Sequence, residues 1–186
     1  LVGSEMCIRD SNESVMRLTL RILSLLLVLS VTGTALGASQ RKVPAYEKYI
    51  KQYSSLAIQH QKKYRIPASI TLAQGLLESG AGRSELARKS NNHFGIKCHS
   101  DWRGGRVYHD DDLRGECFRK YKNPEQSYED HARFLVGRPR YASLFKLKIT
   151  DYKGWARGLQ KCGYATDRAY ANRLIKLIED YDLYRY

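Results

Sequence analysis

The sequence predicts a mainly helical α+β domain with a small antiparallel β-hairpin lobe. Three observations carry this. Apolar and aromatic residues recur at helical spacing over residues 44–64, 68–79, 124–136, 151–161 and 167–180. Between the second and third of these lie three short, turn-separated segments rich in Val, Tyr, Phe and Ile. The order is helices, small sheet, helices, with no internal repeat and no low-complexity linker. At 186 residues the chain suits one domain with a sizeable core.

The elements follow in order. Residues 44–64 place Tyr46, Tyr49, Ile50, Tyr53, Ala57, His60 and Tyr64 on one helical stripe. Arg65-Ile66-Pro67 breaks the stripe, and Pro67 can open the next helix. Residues 68–79 (ASITLAQGLLES) are apolar nearly all round, as a core helix requires, and Gly80-Ala81-Gly82 ends them. Residues 84–90 read as a short polar helix. Residues 94–98, 105–109 and 116–121 read as three strands. Helices resume with Asn123 at the N-cap, Pro124 at N1 and Gln126 at N3. Two more, 151–161 and 167–180, are separated by Cys162-Gly163-Tyr164.

The beginning of the sequence reads as processing signals. Residues 1–15 are polar and patternless and read as an upstream segment. From Met16, the basic Arg17 and Arg21, an apolar run from Ile22 to Val31 and the small residues Ala35-Leu36-Gly37 have the layout of a signal peptide over residues 16–37. The apolar run is too short to anchor a chain across a bilayer, so no stable membrane insertion is expected. Residues 38–186 then form an exported domain, in the periplasm, cell envelope or medium.

Charge and cysteines fit export. The chain carries 32 Lys and Arg against 19 Asp and Glu, a formal +13. The first 37 residues hold three basic and three acidic groups, so the whole excess stays with the domain. Such an excess attracts nucleic acid, anionic membrane or an anionic extracellular polymer. Export and the lack of a basic helix with interleaved stacking aromatics argue against nucleic acid. Cys98 and Cys117 flank the hairpin and are the natural disulfide pair in an oxidising compartment. Cys162 is the odd one, read as a small buried residue. A zinc site from Cys98, His99 and Cys117 matches no standard spacing, and no metal or cofactor is expected. A cysteine hydrolase using Cys98 or Cys162 with His131 is a remote alternative.

Glu78 is the candidate acid. It is the one charged residue between Ala68 and Ala81, in the last turn of an apolar helix. Desolvation and the negative helix end both disfavour its carboxylate, which suits a group that must protonate a glycosidic oxygen. Position alone also fits an exposed helix end. Asp110-Asp111-Asp112 in the hairpin could supply a second carboxylate, as could Glu116; a solvated turn is the plain alternative. The 14 Tyr offer flat faces with polar tips, suited to sugar rings. Most on helical stripes read as core, as does Trp155, whereas Trp102 in a polar turn is a candidate groove wall.

Four motifs in order then resemble the family 73 glycoside hydrolases, the bacterial peptidoglycan glucosaminidases that include flagellar rod-associated hydrolases. Glu78-Ser79-Gly80-Ala81-Gly82-Arg83-Ser84-Glu85-Leu86-Ala87 is similar to their E-S-G-x-G-x-S-x-L-A signature. Asn91-Asn92-His93-Phe94-Gly95-Ile96-Lys97 resembles N-N-x-F-G-I-K, and Phe118-Arg119-Lys120-Tyr121 resembles F-R-x-Y. Gly163-Tyr164-Ala165-Thr166-Asp167 with Tyr170-Ala171 resembles G-Y-A-T-D-x-x-Y-A. Related domains also carry the description mannosyl-glycoprotein endoglucosaminidase.

The resemblance implies a lysozyme-like fold with a groove between a helical bundle and a β-lobe. It implies Glu78 as catalytic acid, Asp112 where relatives often carry Glu, and Tyr164 beside the sugar at the cleavage point. Asn92, Phe94, Trp102 and Tyr170 are the expected substrate contacts. The expected activity is an endo-β-N-acetylglucosaminidase acting on peptidoglycan glycan strands, as a monomer without cofactor. Alternatives are a muramidase or lytic transglycosylase on the same fold, or a non-catalytic cell-wall binding module.

Overall fold

Helix α1 spans Pro44–Tyr64 and starts at a proline, whose fixed φ and missing N–H cost nothing in a first turn. Its buried side chains, Tyr49, Ile50, Tyr53, Ala57 and His60, form one stripe. Arg65 stops it in the left-handed conformation, φ 58°. Helix α2 spans Ala68–Ser79, one residue past Pro67, and ten of its twelve residues are buried. Pro67 has no side-chain cap to offer, so Gln61 of α1 reaches over and accepts the Ala68 N–H at 2.7 Å. The computed structural model describes residues 42–100, 102–110 and 113–186. The expected segments 1–15 and 16–37, and Asp111 and Asp112, lie outside these residues.

α2 is the axle of the compact unit Gln40–Tyr186. α1, α5 (Tyr152–Lys161), α6 (Tyr170–Asp180) and a terminal 3-10 turn (Leu183–Arg185) pack around it. Gly75 sits where α2 meets a pair of tyrosine hydroxyls. A Cβ there would lie 2.5 Å from the Tyr49 hydroxyl and 3.0 Å from that of Tyr128. Tyr128 donates to Tyr49 at 2.8 Å, and the Tyr49 hydroxyl is 2.9 Å from His93 Nδ1. Burial pushes the His93 imidazole down to about 4, so this nitrogen is free to accept the Tyr49 proton.

The turn after α2 matters to the site. Gly80, Ala81 and Gly82 all take positive φ, so the helix ends at Ser79, one residue after Glu78. Ser79 Oγ accepts the Gly82 N–H at 2.7 Å and ties this turn down. Helix α3 (Glu85–Ser90) follows, capped by Ser84, whose Oγ accepts the Ala87 N–H.

Strands β1 (Gly105–His109) and β2 (Glu116–Lys120) pair antiparallel, with Val107 opposite Phe118 and His109 opposite Glu116. The third expected strand, residues 94–98, makes only an isolated bridge between Lys97 and Phe118. Gly95 at φ 61° and the Asn92 side chain explain this. Asn92 Oδ1 accepts the N–H groups of Phe94 and Ile96, and its Nδ2 donates to the carbonyls of Ile96 and Arg119. Backbone groups held this way are lost to a ladder. The Cys98–Cys117 disulfide forms as expected and pins the segment to β2.

Helix α4 (Pro124–Val136) has the expected start: Asn123 accepts the Gln126 N–H at 3.0 Å. The Gln126 side chain reaches past the cap to the Lys122 N–H instead of the Asn123 N–H. A 3-10 segment, Pro139–Lys146, was not anticipated; it buries Tyr141 and Leu144, and Leu144 seats on Gly158 of α5. Helix α6 starts three residues later than the sequence suggests. Asp167 caps a preceding turn by accepting the Ala169 N–H. Trp155 is core, as expected, whereas Cys162 is free but only half-buried. Among the described residues no helix is long and apolar enough to cross a membrane.

Candidate active site

A groove of about 490 Å³ runs past the end of α2. Its walls come from the 94–99 loop, β1, β2, α4, the 3-10 segment and residues 164–166. Glu78 is the one carboxylate among the described residues that line it; Lys97, His99, His109 and Arg140 line it too. Among the described residues the groove thus sets one acid amid basic side chains.

Glu78 is half-buried and held by α6. The Tyr170 hydroxyl donates to its Oε1 at 2.8 Å. Behind Tyr170 stands Gln74, one helical turn before Glu78 and so on the same face of α2. Gln74 Nε2 donates to the Tyr170 oxygen at 2.9 Å, and Gln74 Oε1 lies 3.1 Å from His131 Nε2. Burial pushes the His131 imidazole down to about 3, so it is neutral at ordinary pH. Burial first, then the neighbouring Tyr164 and the Glu78 charge, push the Tyr170 phenol well above its usual range.

Tyr164 stacks on Tyr170 with ring centroids 5.7 Å apart and lines the groove. Its hydroxyl oxygen is buried with no hydrogen-bond partner among the described residues, an unusual state for a phenol in a folded protein. Burial and the Glu78 charge hold this phenol well above its usual range, so it stays a donor.

The other expected site residues divide. Phe94 does line the groove and stacks on His131 at 3.9 Å. Asn92 does not; it is 1% exposed and its amide is consumed in shaping the 92–96 loop. Tyr170, 2% exposed, grips Glu78 and is absent from the groove lining. Trp102 lies in a separate depression of about 480 Å³ with Tyr121, Glu129 and Asp130. Its indole donates to the Gly105 carbonyl, and the Arg119 guanidinium sits 4.7 Å from its ring. Glu116 pairs with Lys97 at 2.7 Å, and Asp110 accepts the Gly115 N–H, so both serve the hairpin. Gln74, His131, Arg140 and Phe134 were not anticipated at the site. The one available signal was Gln74, a polar residue four before Glu78 in an apolar helix.

A helical body, a two-stranded lobe and a groove with an acid at the end of the central helix define a lysozyme-like glycosidase domain. The chain belongs to the glucosaminidase family, described as mannosyl-glycoprotein endo-beta-N-acetylglucosaminidase, whose profile matches residues 54–183. Exo-glucosaminidase LytG of Bacillus subtilis is 34% identical over 185 residues, covering 89% of this chain and 64% of its own length. Peptidoglycan hydrolase FlgJ of Vibrio parahaemolyticus is 31% identical over 147 residues, covering 73% of this chain and 47% of its own. The chain thus spans between about half and two thirds of these two relatives. The crystal structure of a peptidoglycan hydrolase from Sphingomonas sp. A1 superposes with a TM-score of 0.66 at 33% identity, covering 75% of this chain and 91% of that one.

Proposed function

We propose that this domain is an exported peptidoglycan hydrolase that cleaves the β-1,4 bond on the reducing side of N-acetylglucosamine, with Glu78 as general acid. The observation that carries this is the placement of Glu78, half-buried at the groove and held through one oxygen by a buried phenol. Glu78 protonates the leaving glycosidic oxygen as the C1–O bond breaks. Positive charge then develops at the anomeric carbon. It is met either by a water that Asp112 activates or by the substrate's own 2-acetamido oxygen. Tyr164 lines the groove and its buried hydroxyl has no partner among the described residues, which suits it to bind the sugar at the cleavage point.

The cationic lining fits the substrate. Glycan strands of peptidoglycan carry the lactyl group and stem-peptide carboxylates on every second sugar. Arg140 on the groove attracts such groups, and the formal +13 of the chain favours encounter with an anionic wall.

Product analysis tests the bond choice. After digestion of purified peptidoglycan and borohydride reduction, mass spectrometry should find reduced glucosamine ends. Reduced muramic acid or 1,6-anhydro ends would assign a muramidase or a lytic transglycosylase instead. The same digest separates endo from exo action, which matters because the Bacillus subtilis relative is named an exo-glucosaminidase. Mid-strand oligomers appear early for an endo enzyme; terminal sugars alone appear for an exo enzyme.

A further inference from the structure

We propose that Gln74 and His131 are positioning residues that, through Tyr170, decide which oxygen of Glu78 carries the acidic proton; this rests on Glu78 being the proton donor. Four groups form a buried line ending at the acid. His131 and Gln74 are 0% exposed and Tyr170 2%. His131 Nε2 lies 3.1 Å from Gln74 Oε1, Gln74 Nε2 lies 2.9 Å from the Tyr170 oxygen, and that oxygen lies 2.8 Å from Glu78 Oε1.

The direction of the line follows from what each atom can do. Gln74 Oε1 only accepts, so His131 must carry its hydrogen on Nε2. A hydrogen on Nδ1 would be stranded, because that nitrogen is buried without a partner among the described residues. Phe94 stacks on the His131 ring at 3.9 Å and restrains its rotation. With Oε1 of Gln74 occupied, its amide N–H donates to Tyr170. The Tyr170 oxygen is then an acceptor on one side, and its own hydrogen points to Glu78. Were Gln74 flipped, its oxygen would accept the Tyr170 hydrogen and Glu78 would lose this donor.

The consequence is asymmetric. Glu78 Oε1 is fixed as an acceptor, so the acidic proton sits on Oε2. On reaction that proton moves to the glycosidic oxygen, the C1–O electrons go to the leaving oxygen, and the new carboxylate keeps its bond from Tyr170. The other groups around Glu78 are Tyr164 from the 162–169 turn, Lys97 and His99 from the loop before β1, His109 from β1 and Arg140 from the 3-10 segment. Tyr164 touches the line through its ring, stacked on Tyr170 and edge-on to His131, contacts that Tyr170→Phe and Gln74→Met retain.

The test uses Tyr170→Phe and Gln74→Met, each with a melting curve to establish folding, on a soluble glycan oligomer. Both should lower kcat about 10- to 100-fold with little change in KM. Tyr170→Phe should also move the alkaline limb of the kcat/KM profile up by about one pH unit, because the carboxylate has lost its donor, and Gln74→Met should move it the same way by less, because Tyr170 keeps its hydroxyl but loses the N–H that aims it. The double variant should be no worse than Tyr170→Phe, as for groups acting in one line. An unmoved alkaline limb in a folded variant overturns the proposal. In the wild-type protein, ¹⁵N NMR should find His131 as the neutral Nε2–H tautomer; the Nδ1–H tautomer would overturn the proposal without any variant. Lysis retained by Glu78→Gln would remove the reading beneath it, while leaving the His131 tautomer unchanged, so the two failures are distinct.

Discussion

Tyr164 and Tyr170 stand six residues apart in one motif and stack on each other, yet they face different partners. Tyr170 spends its hydroxyl on Glu78 and Gln74; Tyr164 keeps a buried hydroxyl with no partner among the described residues. Removing the two hydroxyls should therefore differ in kind. Tyr164→Phe should leave the melting temperature within about 1 °C, since no protein hydrogen bond is lost. Its kcat should fall about 100-fold, the size of effect seen when one donor to a developing charge is removed. A folded Tyr164→Phe enzyme with wild-type kcat would exclude Tyr164 from the reaction. At this scale sequence reading named Glu78, Tyr164 and Phe94 because each lies in a motif with the right residue type, and all three line the groove. It assigned Asn92 and Tyr170 to substrate because polar and aromatic residues in such motifs suit that role. Which way those side chains point is decided by neighbours far along the chain, Tyr170 by Glu78 at a separation of 92 residues.

At the scale of elements, helix boundaries were legible wherever a local cap wrote them. Ser84, Asn123 and Asp151 each accept the N–H three residues on, and the helices start there. The 94–98 strand and the Pro139–Lys146 segment were not legible, for different reasons. The first has strand composition, but the neighbouring Asn92 side chain takes the Phe94 and Ile96 N–H groups, leaving the Ile96 carbonyl and the Cys98 N–H to bond β2. The second repeats every three residues over too short a run to stand out from a loop. Gly75 is a further case: in sequence it is merely a poor helix former, whereas in the fold it makes room for the Tyr49–Tyr128 hydroxyl pair. Gly75→Ala should improve intrinsic helix propensity by about 1 kcal/mol and still destabilise the domain by roughly 1–3 kcal/mol, because the buried tyrosines must shift. Urea unfolding would measure it, and a stabilised variant would show that the pair yields without cost.

For the whole molecule, three buried histidines set a pH dependence. Burial lowers His60, His93 to about 4 and His131 to about 3, against about 6.5 in an unfolded chain. The unfolded state then binds more protons than the native state below about pH 6.5. This contribution to stability is complete above that pH and is lost as pH falls toward the folded values. Each histidine adds a slope of up to about 1.4 kcal/mol per pH unit in that window. Denaturant midpoints should drop steeply between pH 6.5 and 4, and His131→Gln should flatten the curve. A midpoint constant over that range would mean that these imidazoles are protonated in the fold or solvated within it.

The net charge of +13 belongs to the same scale, as a matter of encounter with the wall. In the proposed function the chemistry begins at Glu78. The most direct measurement is turbidity loss of purified cell walls by the wild-type domain and by Glu78→Gln, with both proteins shown to be folded and wall-bound. The account predicts that Glu78→Gln binds walls as well as wild type and lyses them at least about 100-fold more slowly. Lysis at the wild-type rate by the folded variant would contradict it.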